Sequence, residues 1–264
     1  MQVSRSNGIH IHFADLGRPG GAALVFANSL GTDFRIWERV IGCLDGNIRV
    51  ILYDKRGHGL SEAPAGPYSL SDHVADLASL LDSLAVRDAI VCGLSVGGMI
   101  AQALTAARPD LVRALVLCDT AHRIGPPGMW DTRIAAIEEG GIAALADSIL
   151  ERWFSAAFRA GRAEELAGWR NMLVRTPVEG YLGTCAAIRD ADLTDRAAAI
   201  GVPALCLVGA EDGATPPDLV RSLAELIPGA RFRIIDGAGH LPCVERPDAL
   251  AAAMTEFFEE TGLV

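Results

Sequence analysis

Gly93-Leu94-Ser95-Val96-Gly97, followed at once by Gly98, sets a serine between glycines at a spacing that suits nucleophilic chemistry. The apolar run Ala89–Cys92 before it and the helical pattern Met99–Leu104 after it predict a strand, a sharp turn and a helix. In that setting a Gly-x-Ser-x-Gly stretch lifts its hydroxyl above a sheet. The turn also brings the Val96 N–H to a helix start, where backbone donors are free to hold an oxyanion. Such a serine needs a base, and the base needs an acid to orient it. Asp212 follows the apolar run Pro203–Val208, and His240 follows Arg231–Ile235. Both therefore sit just past strand ends, and in a parallel sheet all such ends share one edge. Ser95, Asp212 and His240 are expected to meet there as nucleophile, acid and base. Glu211 is the rival acid; Asp236 is nearer His240 in sequence, but its place at a strand end suits a loop hydrogen bond.

The elements that must carry these residues alternate. Ile9–Phe13 has the period of two of an early, antiparallel strand. Ala22–Ala27, Arg49–Tyr53 and Arg113–Asp119 read as buried strands. Thr32 or Asp33 can cap a short helix through Trp37 and Val40, and Ser69 or Ser71 a helix with Val74, Leu77, Leu80, Leu81 and Leu84 on one face. Near-continuous apolar strands alternating with helices predict an α/β fold, a mostly parallel sheet with helices on both faces. From Ala121 to Ala199 the rhythm changes to helical stretches, Met129–Glu139, Ile142–Ala157, Ala163–Val174 and Val178–Arg189. The expected division is a core of residues 1–120 and 200–264 with an all-helical cap at 121–199 over the sheet's C-terminal edge.

The chain has 264 residues, 50% of them hydrophobic, and a net charge of −10. That balance argues against nucleic acid or an anionic membrane surface as partner. The segment Met1–Gly8 has no apolar core, so no secretory leader is expected. The six cysteines are scattered without metal-ligand spacing, and the histidines form no helical pair, so no metal is expected. Cys92, Cys118 and Cys206 fall inside predicted strands as small hydrophobes, and a reducing cytoplasm suits them. Self-association is left open.

With the three candidate residues go Asp54-Lys55-Arg56-Gly57-His58-Gly59-Leu60-Ser61, Arg108-Pro109, and Gly237-Ala238-Gly239-His240 followed by Glu245-Arg246-Pro247. Together they resemble the α/β-hydrolase superfamily over essentially the whole chain. One departure is Asn28-Ser29, where many members carry His-Gly; the second oxyanion N–H is then expected from Leu30. Asn28–Thr32, Cys118–Ala121, Met129–Ile134, Glu151–Phe154, Cys185–Leu193 and Asp212–Pro217 are similar to one branch, the 3-oxoadipate enol-lactonases. That resemblance implies a cofactor-free hydrolase acting on a small anionic enol-lactone in the β-ketoadipate route of aromatic degradation. Such a substrate needs a cation. Arg133, one helical turn from Trp130, is favoured for its carboxylate, with Arg189 as alternative. Arg152 and Trp153 read as cap packing. An aspartate nucleophile, as in dehalogenases and epoxide hydrolases, is disfavoured by Ser95. A plain carboxylesterase or a cofactor-free oxygenase or perhydrolase would keep the same three residues.

Overall fold

Asn7 and Gly8 reverse the chain with φ of 50° and 85°. Two positive values in succession are what a two-residue hairpin turn requires. The turn joins β1 (Gln2–Ser6) to β2 (Ile9–Leu16) in antiparallel register. β2 buries Ile9, Ile11 and Phe13 in alternation, as its sequence predicts. β1 carries no such pattern, because it is a mostly exposed edge strand. The structure, a computed structural model, describes residues 1–17, 23–44 and 48–263. Ala22, expected to begin the first buried strand, lies outside them.

The remaining strands are β3 (Ala23–Ala27), β4 (Arg49–Tyr53), β5 (Ala89–Leu94), β6 (Val112–Cys118), β7 (Ala204–Gly209) and β8 (Arg231–Ile235). The order across the 8-stranded sheet is β1-β2-β4-β3-β5-β6-β7-β8. From β4 onward every pairing is parallel. β3, β5 and β7 are buried along their whole length, which needs helices on both faces.

Asp33 caps a 3₁₀ turn at Phe34–Trp37, which runs into α1 (Glu38–Cys43). Ser69 and Asp72 form a reciprocal capping box for α2 (Leu70–Ser83), and α3 (Val96–Ala107) follows β5 directly. Five helices lie between β6 and β7: α4 (Pro127–Trp153), α5 (Ala156–Gly161), α6 (Ala163–Val174), α7 (Val178–Arg189) and α8 (Thr194–Ala198). The C-terminal part contains α9 (Pro217–Leu226), α10 (Pro242–Glu245) and α11 (Pro247–Thr261). α1 and α11 pack together on one side of the sheet, while α2, α3, α8 and α9 touch in sequence on the other.

α6 and α7 match the sequence reading residue for residue; the stretch before them matches in its break and differs in where its second helix ends. α4 is two helical pieces that meet at a kink at Gly141, where φ is 71°, between the expected helices Met129–Glu139 and Ile142–Ala157. The expected helix Ile142–Ala157 stops at Trp153, because Phe154 is extended and the Ser155 side chain caps a new helix by accepting from the Phe158 N–H. α4 to α7 pack on one another and rest on the loops that follow the parallel strands. The seam is tight at Gly57 and Gly180, where a Cβ on Gly57 would stand 2.3 Å from the Gly180 Cα. Among the described residues, no helix is long and apolar enough to cross a membrane.

Candidate active site

Ser95 occupies a strained turn between β5 and α3, with φ 58° and ψ −120°. For a residue other than glycine, that conformation is held only by its surroundings. Here the Ser95 N–H donates to the Cys118 carbonyl at 3.0 Å, and the Ser95 carbonyl accepts from Thr120 Oγ1 at 2.6 Å and from the Gly98 N–H at 2.9 Å. The turn also needs room behind it. A Cβ on Gly97 would lie 2.0 Å from the Ala27 carbonyl oxygen, so only glycine lets α3 come this close to β3. Val96 opens α3, and its N–H has no intrahelical carbonyl to meet.

His240 and Asp212 come from the loops after β8 and β7. The Glu211 N–H donates to the Ala238 carbonyl at 2.9 Å, which stitches those loops together. His240 Nδ1 stands 2.9 Å from Asp212 Oδ2, and both residues are buried. The other oxygen of Asp212 accepts the N–H groups of Ala214 at 2.7 Å and Thr215 at 3.0 Å. Burial alone would raise the Asp212 carboxyl. The charge of His240 and the hydrogen bonds from His240 and Thr215 outweigh it, and hold the group below its ordinary value. Glu211 and Asp236, the rival acids, are exposed.

Ser95 and His240 line one narrow cavity of about 40 Å³ together with Leu30, Trp130 and Arg133. Among the described residues no hydrogen bond joins the Ser95 hydroxyl to the imidazole, the kind of looseness common before a substrate completes such a set. A roomier cavity of about 480 Å³ opens between Phe34 and Asn171, but it contains none of these three residues. Chemistry, not volume, therefore locates the candidate site.

The roof of the cavity is cationic. The Arg133 guanidinium lies 5.0 Å from the Trp130 ring, and Trp130 is fixed by an Nε1–H bond to the Ile124 carbonyl at 2.6 Å. Burial pushes the Tyr181 phenol up, against the pull of the Arg133 charge. Arg152, read from sequence as packing, also lines the cavity; its Nε donates to the Gly213 carbonyl at 3.0 Å. Burial and then the Arg133 charge lower the Arg152 guanidinium, while Asp212 opposes them. Arg189 points elsewhere, paired with Asp131 at 3.0 Å and Asp190 at 2.7 Å.

Several residues at the site hold roles that the sequence did not assign to them. Asp119, after β6, is buried, and one of its oxygens accepts the Gly209 N–H at 2.9 Å. Burial and the nearby Asp212 push its carboxyl well above the ordinary range. Ligand atoms of Asp119, Asp212 and His240 fall within 4.8 Å of one another. Those of Asp212 and His240 are already spent on each other and on Thr215, so the donors do not converge on a common ion. Glu245 accepts from Ser155 Oγ at 2.5 Å and from the Gly239 N–H at 2.7 Å, and the His240 N–H donates to the Trp153 carbonyl at 2.8 Å. The end of α4 is thereby fastened to the histidine loop.

Comparison with known proteins shows the family and the fold. A sequence model of the alpha/beta hydrolase fold matches residues 22–247. The chain is 32% identical over 246 residues to 3-oxoadipate enol-lactonase 2 of Acinetobacter baylyi, covering 93% of this chain and 92% of that protein. It is 28% identical to a non-heme chloroperoxidase of Streptomyces lividans over 94% of this chain and 98% of the relative. The crystal structure of the enol-lactonase from Burkholderia xenovorans LB400 superposes with a TM-score of 0.94 at 39% identity, over 98% of this chain and 100% of that one.

Proposed function

The chain belongs to the alpha/beta-hydrolase family, and on that premise we propose that it is a serine hydrolase opening 3-oxoadipate enol-lactone to 3-oxoadipate. The observation that carries this reading is the cationic roof: Arg133 faces the cavity that Ser95 and His240 line. A small lactone bearing a carboxylate suits that combination of charge and nucleophile. Relatives named enol-lactonases support it.

In this mechanism Ser95 Oγ attacks the lactone carbonyl and its proton passes to His240 Nε2. Asp212 holds the imidazole in the required tautomer and stabilises the imidazolium. The N–H groups of Leu30 and Val96 hold the oxyanion, each worth about 3–4 kcal/mol to the transition state. Collapse breaks the ring C–O bond and expels an enolate, which takes the proton back from His240 and stays tethered to the acyl-enzyme. Water then attacks the acyl carbon as the neutral His240 takes its proton; the Ser95 Oγ–C bond breaks, His240 returns the proton to Oγ, and the diacid leaves. Residues 121–199 act as the cap that carries Trp130 and Arg133, with α8 at its seam with the core. The six free cysteines suit a reducing compartment such as the cytoplasm. The test compares ultraviolet loss of the enol-lactone with hydrolysis of a neutral aryl ester. Ser95→Ala is expected to abolish both while leaving the circular dichroism spectrum unchanged; wild-type turnover by this variant would remove Ser95 as nucleophile. A preference of the wild type for the neutral ester would favour a plain carboxylesterase.

A further inference from the structure

Lys55 is buried behind the loop that carries Leu30, and its ammonium is spent on that loop's carbonyls. Its Nζ donates to the Ser29 carbonyl oxygen, with the Thr32 carbonyl at 3.4 Å. The side chain is 1% exposed, and among the described residues no carboxylate lies within ion-pair reach of it. The Asp54 carboxylate next to it in sequence is engaged elsewhere, accepting from the N–H groups of Phe34 at 3.0 Å and Leu60 at 2.9 Å and facing His12 at 2.8 Å. Asp33 is paired with Arg35 at 2.6 Å. A buried cation that meets only neutral carbonyls is costly to the fold, so its position calls for a reason beyond packing.

The Ser29 carbonyl and the Leu30 N–H are two ends of one peptide group. That group is planar and trans, so its oxygen and its hydrogen point in opposite directions. Whatever fixes the oxygen aims the hydrogen. The Ser29 oxygen takes Lys55 Nζ, Thr32 Oγ1 at 2.9 Å and the Thr32 N–H at 3.3 Å. The next peptide is fixed as well. His58 Nδ1 lies 3.1 Å from the Arg56 carbonyl and so carries the proton, leaving Nε2 to accept the Gly31 N–H at 3.0 Å. Ser29 and Leu30 line the Ser95 cavity.

We propose that Lys55, with Thr32 beside it, is a positioning residue for the oxyanion site. It draws electron density from the Ser29 oxygen, polarises the shared peptide, and holds the Leu30 N–H toward charge developing on the substrate oxygen. The proposal rests on the serine-hydrolase reading above. It adds to that reading a full positive charge, relayed through one amide, at the back of the oxyanion site. Burial draws the ammonium down to about 7, while the Asp54 and Asp33 carboxylates hold it up; the nearby His58 and His73 are kept neutral. At neutral pH the ammonium and the neutral amine are therefore both populated.

The test replaces Lys55 by a residue of similar length without charge, Lys55→Met, and Thr32 by one without its hydroxyl, Thr32→Val. At pH 7, kcat for the lactone is expected to fall about 10- to 100-fold in Lys55→Met, a part of the roughly 10²–10³ that losing an oxyanion donor outright costs. KM is expected to stay within about threefold. Thr32→Val is expected to fall in the same direction by about threefold or more. The decisive readout is a ¹³C-labelled trifluoromethyl ketone, whose carbonyl carbon forms a hemiketal with the Ser95 oxygen. The hemiketal hydroxyl should ionise at a higher pH in both variants than in the wild type. A merely structural lysine would lower the melting temperature without moving that ionisation. Adducts that form in all three proteins and ionise at the same pH overturn the assignment. If Lys55→Met does not fold, an unshifted ionisation in Thr32→Val alone overturns it. Failure of the wild type to form any adduct would instead refute the serine-hydrolase reading, and this proposal with it.

Discussion

Replacing Arg133 by methionine isolates the charge that the proposed substrate would meet. Methionine keeps an apolar stem against Trp130, so the roof stays filled while the guanidinium is lost. A guanidinium about 4 Å from a carboxylate contributes about 4 kcal/mol at an effective dielectric of 20. Both groups give up water to meet, and hydrogen bonds to charged groups retain about 1.5–3 kcal/mol net. Arg152 remains in the same cavity and keeps part of the attraction. About 2 kcal/mol is therefore expected to be lost, a rise of about 30-fold in KM for the anionic lactone. A neutral aryl ester makes no such ion pair, so its KM should change by no more than about twofold. The assay is steady-state loss of ultraviolet absorbance for the lactone beside release of the phenol from the ester. Equal changes for the two substrates would mean that Arg133 only shapes the roof. An unchanged KM for the lactone would place its carboxylate elsewhere.

Two further outcomes follow from packing and burial. Gly97→Ala drives a methyl to 2.0 Å from the Ala27 carbonyl oxygen, a backbone atom that cannot swing away, and should destabilise by at least about 1–3 kcal/mol; an unchanged melting temperature would refute the close approach of α3 to β3. His73 is pulled down to about 3, first by burial and then by the Lys55 and Arg56 charges, and His58 is driven the same way. The unfolded chain titrates near 6.5 and binds more protons below that pH, so stability falls as pH drops from about 6.5; His73 alone accounts for about 2 kcal/mol by pH 5. His73→Leu should flatten the fall in melting temperature between pH 7 and pH 5, and an identical slope in variant and wild type would refute the linkage.

What could be read from the chain in advance was what local pattern encodes. Fully buried β3, β5 and β7 announce themselves as unbroken apolar runs, and the elbow, Asp212 and His240 sit at fixed offsets from strand ends. β1 could not be read this way, because an exposed edge strand buries too little to leave a period. The end of α4 at Trp153 was also hidden, since a tertiary hydrogen bond and the Ser155 cap override a continuing helical pattern. Lys55, Asp119, Arg152 and Glu245 draw their importance from residues distant in sequence. Arg152 shows the difficulty: beside Trp153 it reads as packing, and only the approach of the Gly213 loop brings it to the cavity.

The attachment of Trp153 and Ser155 to the segment bearing His240 and Glu245 has a kinetic consequence. Trp153 of that attachment lines the narrow cavity beside Ser95 and His240. That wall is bolted at one corner to the segment of His240, the base of the proposed mechanism. On the proposed mechanism, any displacement of this corner carries the base with it, so passage of ligand and alignment of the reactive groups are coupled.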